Sequence, residues 1–313
     1  MKQYTDTILM VEPASFGFNE QTAVNNFFQD NAVSSKQNIQ KKALIEFSAM
    51  VDKLRDHRIN VIVLKDVRNP VSPDAVFPNN WVSFHRDGRM VVYPMFAANR
   101  RTERREKDLL NEMQKNGFHF FEIIDYSGFE KSGLFLEGTG SMVLDRVNRI
   151  AYAALSPRTS REMFLKFCSD FNYEPVYFSA NQTAKNERNL IYHTNVMMCV
   201  ADEYAVICLD SIDNPDERRK VERHLKNSGK RIIEISEIQM SRFAGNMLQL
   251  GSKEGKKYLV MSVTALQSLE SEQIRSIEKF NPIISVDIPI IEVEGGSARC
   301  MIAEVFSEIE ENE

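Results

Sequence analysis

An alternation of short apolar strands and amphipathic helices, run through five times in 313 residues, constrains this fold more than any other feature. The run Thr7-Ile8-Leu9-Met10-Val11 is expected to form a strand. From Lys36 to His57 the residues Leu44, Phe47, Val51 and Leu54 mark the apolar stripe of a helix, with Ser34 or Ser35 as its cap. Asn60 to Leu64 returns as a β-branched strand. Trp81 to Phe84 and Met90 to Tyr93 flank Arg86-Asp87-Gly88, the pattern of a hairpin. A helix is expected near Glu103 to Asn116, stopped by Gly117 and followed by a strand from Phe118 to Ile124. The third cycle has a helix from Arg161 to Phe171 and a strand from Pro175 to Phe178. In the fourth, Asn214-Pro215 opens a helix that Gly229 closes before the strand Arg231 to Ile235. The fifth runs from Tyr258 to Met261 through a helix from Thr264 to Lys279 and ends on a strand carrying Cys300.

Five cycles give a period of roughly sixty residues, longer than the ~20–50 of common solenoids and consistent with large propeller blades. No Pro/Gly-rich or low-complexity stretch separates the cycles, so one closed domain over residues 1–313 is expected. Pattern alone leaves a doubly wound α/β sheet as a competitor. A net charge of -5 and the absence of a long basic run disfavour a nucleic-acid surface. Arg100-Arg101 and Arg104-Arg105 form the densest cationic cluster, and the interleaved Glu103 and Glu106 make it read as a solvated helix face. No apolar run reaches the roughly 18 residues a membrane span requires. The start Met1-Lys2-Gln3-Tyr4-Thr5-Asp6 lacks the design of a secretory signal, and Cys168, Cys199, Cys208 and Cys300 are scattered without CxxC spacing. Reduced thiols and a cytoplasmic location are expected. No P-loop or G-x-G-x-x-G sequence supports nucleotide binding.

Four segments carry candidate chemistry. Gly295-Gly296-Ser297-Ala298-Arg299-Cys300-Met301 presents one cysteine behind a small-residue turn. Such a turn brings backbone N–H groups close, and with Arg299 it favours the nucleophilic thiolate, although free cysteine is also among the most buried residues. Leu136-Glu137-Gly138-Thr139-Gly140-Ser141 puts a carboxylate before two glycines, and Tyr192-His193-Thr194-Asn195 opens an apolar stretch with a histidine. Pro73-Asp74-Ala75-Val76-Phe77-Pro78-Asn79-Asn80-Trp81 sets an acid and two amides beside the only tryptophan. Cys, His and Glu in separate segments are the parts of a nucleophilic site, since they must meet in space rather than in sequence. His57, His119 and His224 sit in ordinary helix and strand patterns and read as structural or solvated; His85, beside the hairpin turn, is open.

The order of these segments, from Asp74 to Cys300, resembles the guanidine-modifying superfamily of arginine deiminases, dimethylarginine dimethylaminohydrolases, amidinotransferases and a citrulline-hydrolysing branch. The resemblance implies a five-bladed α/β propeller (pentein) of pseudo-fivefold strand–helix–strand repeats, with its active site on the axis. It implies Cys300 as nucleophile, His193 as acid then base, and Glu137 as the partner of His193 and of a substrate nitrogen. Arg146 matches the position at which dimethylargininases hold the substrate α-carboxylate, and Asp74 matches an acid near the α-amino group. Covalent cysteine chemistry needs no metal or organic cofactor. The implied partner is a small amino acid, not a nucleic acid or a membrane, and a homo-oligomer is left open.

The chain departs from the resemblance at Asn79-Asn80, where deiminases and dimethylargininases use a carboxylate, and at Asn195, where deiminases carry an acid. A guanidinium has only donors, whereas a ureido group has a carbonyl oxygen that amide N–H groups can stabilise as charge develops. The substitution points to citrulline as the substrate, giving ornithine, carbon dioxide and ammonia. Arginine or a methylated arginine comes next, and amidino transfer third. The same propeller also occurs in ribosome-binding translation factors, a non-enzymatic alternative. Retention of Cys300, His193 and Glu137 together argues against it.

Overall fold

Five three-stranded sheets organise the computed structural model, which describes residues 2–26, 28, 36–184 and 186–306. Each sheet is built the same way, a short first strand antiparallel to a second that is parallel to a third. In the first sheet Ala303–Glu304 pairs with Thr7–Glu12, which pairs with Asn60–Lys65, so both ends of the described chain share one sheet. The second is Val82–Phe84, Arg89–Val92 and Glu122–Asp125. The third is Val143–Asp145, Ile150–Ala154 and Glu174–Phe178. The fourth is Met198–Val200, Tyr204–Ile207 and Arg231–Glu234, and the fifth Leu248–Gly251, Lys257–Ser262 and Ile283–Val286. A hairpin of Asn181–Ala184 and Glu187–Leu190 stands outside the five.

A parallel step needs a long crossover, and a helix supplies it each time: Lys36–Asp56, Glu106–Lys115, Arg161–Phe171, Pro215–Asn227, and the pair Val263–Ser268 and Ser271–Glu278. Arg161–Phe171 shows the cause. Met163, Phe164, Phe167, Cys168 and Phe171 fall on one face and all are buried. Asn214 caps Pro215–Asn227, its side-chain oxygen accepting from the N–H groups of Asp216 and Glu217.

Several expected boundaries shift. The strand expected from Phe118 is confined to Glu122–Asp125, and Phe121 is 80% exposed rather than core. The helix expected over residues 264–279 breaks at Leu269 because Glu270 and Gln273 form a new capping box. Cys300 lies in a turn, with the strand beginning only at Ala303. The helix expected from Glu103 starts at Glu106, after a separate 3-10 turn, Ala98–Glu103. The proposed caps Ser34 and Ser35 lie outside the described residues.

Before the first strand of every sheet the chain makes a tight turn. The last turn residue donates its N–H three residues back in three sheets: Trp81 to Pro78, Met197 to Thr194 and Ile302 to Arg299. Met142 to Gly138 and Met247 to Gly245 close the turn in the other two. These turns place Asn79 and Asn80, Gly140, Asn195, Asn246 and Cys300 two or three residues ahead of the five first strands. First strands are also neighbours: Val143–Asp145 lies beside Met198–Val200, Met198–Val200 beside Leu248–Gly251, and Val82–Phe84 beside Ala303–Glu304. No helix among the described residues is long and apolar enough to cross a membrane.

Candidate active site

The two glycines after Glu137 are there for space. A Cβ on Gly138 (φ +47) would lie 2.2 Å from the Asn79 carbonyl oxygen. One on Gly140 would lie 2.4 Å from Asn80 Nδ2 and 2.8 Å from His193 Nδ1. Glycine therefore lets three turns close on one another, with the Glu137 carboxylate carried inward at their edge.

Glu137 and His193 are both buried and meet at 2.8 Å between Oε2 and Nε2. The other Glu137 oxygen accepts the Phe96 N–H at 2.9 Å. Arg158 and Arg100 stand 3.7 and 3.9 Å from its Oε2. Burial alone would raise this carboxyl, but Arg158, the His193 hydrogen bond and Arg100 outweigh it and hold it at about 2. Burial dominates at His193 and lowers it to about 4 despite Glu137, so the imidazole rests neutral at physiological pH. A neutral imidazole oriented by a carboxylate is ready to take a proton before it returns one.

Cys300 is 3% exposed, and its sulfur is met by two amides. Asn195 Nδ2 donates to Sγ at 3.4 Å and Asn246 Nδ2 at 3.2 Å. Asn246 also donates to the Asn195 carbonyl at 3.0 Å and accepts the Arg299 N–H at 3.0 Å, which fixes its orientation. Asn246 was not singled out from the sequence. It precedes the first strand of its sheet by two residues, as Asn80 does in the second sheet, and aligning the repeats would have found it. No hydrogen bond joins His193 to Cys300 among the described residues, but both line one small cavity.

Asp74, Asn80, Arg100, Arg158 and Glu294 also line this cavity. Arg100, expected on a solvated face, is 2% exposed. Its Nε and Nη2 each meet Glu103 at 2.9 Å, its Nη1 donates to Asn80 Oδ1 at 2.8 Å, and its Nε lies 3.5 Å from Asp74 Oδ2. The 3-10 turn rotates it inward while Arg101 and Arg104 pair outside with Glu130. Arg158 is held by Asn25 Oδ1 (2.9 Å from Nε) and the Thr22 carbonyl (2.9 Å from Nη2), which leaves Nη1 toward Glu137. Three buried atoms of this network lack a hydrogen-bond partner among the described residues: Asp74 Oδ1, Asn79 Nδ2 and Asn195 Oδ1. Asn79 and Asn195 are not among the lining residues, although Asn195 reaches the Cys300 sulfur, and Asn79 accepts from Asn80 Nδ2 at 2.9 Å.

Arg146 must be removed from the site. It follows Val143–Asp145 and so lies past the far end of the strand whose entrance carries Gly140. Three residues at ~3.3 Å each displace it by on the order of 10 Å. It pairs with Glu304 at 3.5 Å and stacks over Phe306 at 4.2 Å, in a different cavity. His85 is likewise remote, its Nε2 meeting Ser83 Oγ at 2.8 Å.

The family model of eukaryotic N,N dimethylarginine dimethylhydrolase matches residues 12–307. No curated protein matches the sequence. Among solved structures, the chain is similar to apo ArgZ, an arginine dihydrolase of cyanobacteria, with a TM-score of 0.73 and 17% identity. That match covers 98% of this chain but 41% of ArgZ, so the chain spans about two fifths of that protein. The N-terminal domain of ArgZ bound to substrate is matched over 97% of this chain and 99% of the domain, with a TM-score of 0.71 and 17% identity. DDAH from Pseudomonas aeruginosa, a cysteine-to-serine variant complexed with citrulline, follows at 0.60 and 15%, covering 96% of this chain and 99% of that one. Five sheets of one design and a family model spanning residues 12–307 lead to one conclusion: the chain belongs to the eukaryotic N,N dimethylarginine dimethylhydrolase family, within the guanidine-modifying superfamily.

Proposed function

We propose that this chain hydrolyses free arginine at Cys300 and then hydrolyses the ureido product at the same sulfur, releasing ornithine, carbon dioxide and ammonia. Citrulline is then the substrate of the second half-reaction, not the only substrate. One observation carries the reading. Asn195 donates to Cys300 Sγ while its Oδ1 is buried without a partner. A carboxylate there would only accept; this amide offers an acceptor to a guanidinium N–H and a donor to a ureido oxyanion.

In the first half, the Cys300 proton passes to His193 and the sulfur attacks the guanidino carbon. His193 protonates one amino group of the adduct, which leaves as ammonia. Water, deprotonated by His193, then displaces the sulfur and yields the ureido group. In the second half, the sulfur adds to the ureido carbonyl, and the oxyanion is stabilised by the amides of Asn195 and Asn246. Ammonia leaves again, water releases a carbamate, and the carbamate loses carbon dioxide. Glu137 holds the imidazolium that forms twice in each half-reaction. Asp74 and Glu294 suit the substrate ammonium, and Arg158, with Nη1 uncommitted to a neutral acceptor, suits its carboxylate in place of Arg146. The repeated turns and neighbouring first strands support a single five-bladed propeller domain with this cavity on its axis. The free state of all four cysteines supports a cytoplasmic setting.

Dimethylarginine hydrolysis is the second reading, favoured by the family match. Product analysis with arginine, citrulline and dimethylarginine side by side separates them. Ornithine from both arginine and citrulline is expected. Citrulline as the end product, or turnover of dimethylarginine alone, would overturn the proposal.

A further inference from the structure

Arg146 leads to a second site. It lines a small cavity with Arg86, Arg149, Asp87, Tyr173 and Phe306. The guanidinium carbons of Arg86 and Arg146 sit 5.4 and 4.2 Å from the centroid of the same Phe306 ring. Arg149 stacks on Tyr173 at 5.3 Å and donates to the Phe171 carbonyl at 3.3 Å. Three permanent cations thus share a small, aromatic-walled space.

Of the nearby carboxylates, Asp87 is turned to Arg89, and Glu304 is shared between Arg299 and Arg146. Asp87 accepts two bonds from Arg89 through one oxygen, at 2.9 and 2.5 Å. Glu304 Oε2 lies 2.8 Å from Arg299 and 3.5 Å from Arg146. Within the cavity lining, three arginines stand against one aspartate. The Arg86 Nε is buried and has no hydrogen-bond partner among the described residues. His85 senses the same field: burial, then Arg146, Arg89 and Arg149, push its pKa well below the usual range. Like charges gathered in a low dielectric repel one another, and guanidinium forks match the oxygens of phosphate and carboxylate.

We propose that Arg86, Arg146 and Arg149 form a binding site for a small multivalent oxyanion of the phosphate class, separate from the Cys300 cavity. An anion there neutralises the excess charge and supplies the acceptor that Arg86 Nε lacks. A chain of contacts runs from the site to the sulfur. Arg146 meets Glu304, Glu304 meets Arg299, and the Arg299 N–H donates to Asn246, which donates to Cys300.

The test is calorimetric titration of the full-length protein with inorganic phosphate at ionic strength held constant with sodium chloride. One saturable site is expected. Arg86→Gln and Arg149→Gln, both at half-buried positions, should each weaken phosphate binding roughly tenfold or more, the cost of one charge-assisted hydrogen bond. Arg158→Gln should leave it unchanged. Circular dichroism verifies that each variant is folded. Absence of saturable binding, or wild-type affinity in both Arg86→Gln and Arg149→Gln, would overturn the assignment. Loss of binding in Arg158→Gln alone would move the anion to the Cys300 cavity and would overturn it equally.

Discussion

Replacing Asn195 by aspartate should separate the two half-reactions. Its Nδ2 lies 3.4 Å from Cys300 Sγ. A carboxylate oxygen there faces a developing thiolate at the same distance, and at an effective dielectric of about 20 the two charges repel by roughly 5 kcal/mol. A guanidinium brings positive charge into this gap and offsets most of that repulsion. A neutral ureido group brings none, and its oxyanion also loses a donor. If one third of the repulsion survives, roughly 1.6 kcal/mol, the second half slows more than tenfold relative to the first. Loss of the oxyanion donor adds a factor of ~10²–10³. Arginine is incubated with each enzyme, quenched at intervals, and the ornithine and citrulline are separated by chromatography. Wild type should yield ornithine with little free citrulline, and Asn195→Asp should accumulate citrulline. An unchanged ratio of the two products in the variant refutes the role given to the amide.

Other consequences are open to direct measurement. His193→Ala should lower kcat by ~10²–10⁴ through loss of the acid–base group, while Cys168→Ala, Cys199→Ala and Cys208→Ala leave kcat near wild type in steady-state assays. Arg158→Gln should raise KM for arginine and Arg146→Gln should not; the reverse result would return Arg146 to the substrate carboxylate. Acid lability should come in two stages. The His193 pKa falls from 6.5 unfolded to about 4 folded, so its contribution is complete above pH 6.5 and lost as pH falls toward 4. That amounts to about 3 kcal/mol at 1.36 kcal/mol per unit. Glu137, lowered from 4.5 to about 2, loses its contribution below pH 4.5. Urea titrations across pH 4–7 should therefore show a steeper loss in wild type than in His193→Asn, and parallel curves would contradict the linkage.

Much of this site is legible in the sequence because its residues precede strands that apolar runs already mark. Glu137, His193 and Cys300 each stand just ahead of such a run. What was misread depends on direction along a strand or on turn geometry. Arg146 is close in sequence to Gly140, yet the strand between them carries it to the opposite end. Arg100 sits among alternating charges that look solvated, and only the 3-10 turn aims it at Asp74 and Glu103. At Asn79, Asn80 and Asn195 the amide oxygens matter as much as the N–H donors, and residue type alone does not say which of the two faces the substrate. In the structure Asn80 spends its oxygen on Arg100, and Asn195 keeps its oxygen free. Of the strand expected from Phe118 to Ile124, only the part from Glu122 finds a ladder partner in Arg89–Val92.

The central claim is that the sulfur of Cys300 bonds to the reacting carbon of the substrate. Acid quenching of the enzyme during turnover of arginine, followed by peptide mass spectrometry, tests it directly. The account predicts a substrate-derived adduct on the peptide containing Cys300, absent from Cys300→Ser, which should also be inactive. An adduct on Cys168, Cys199 or Cys208, or full turnover by Cys300→Ser, would contradict it.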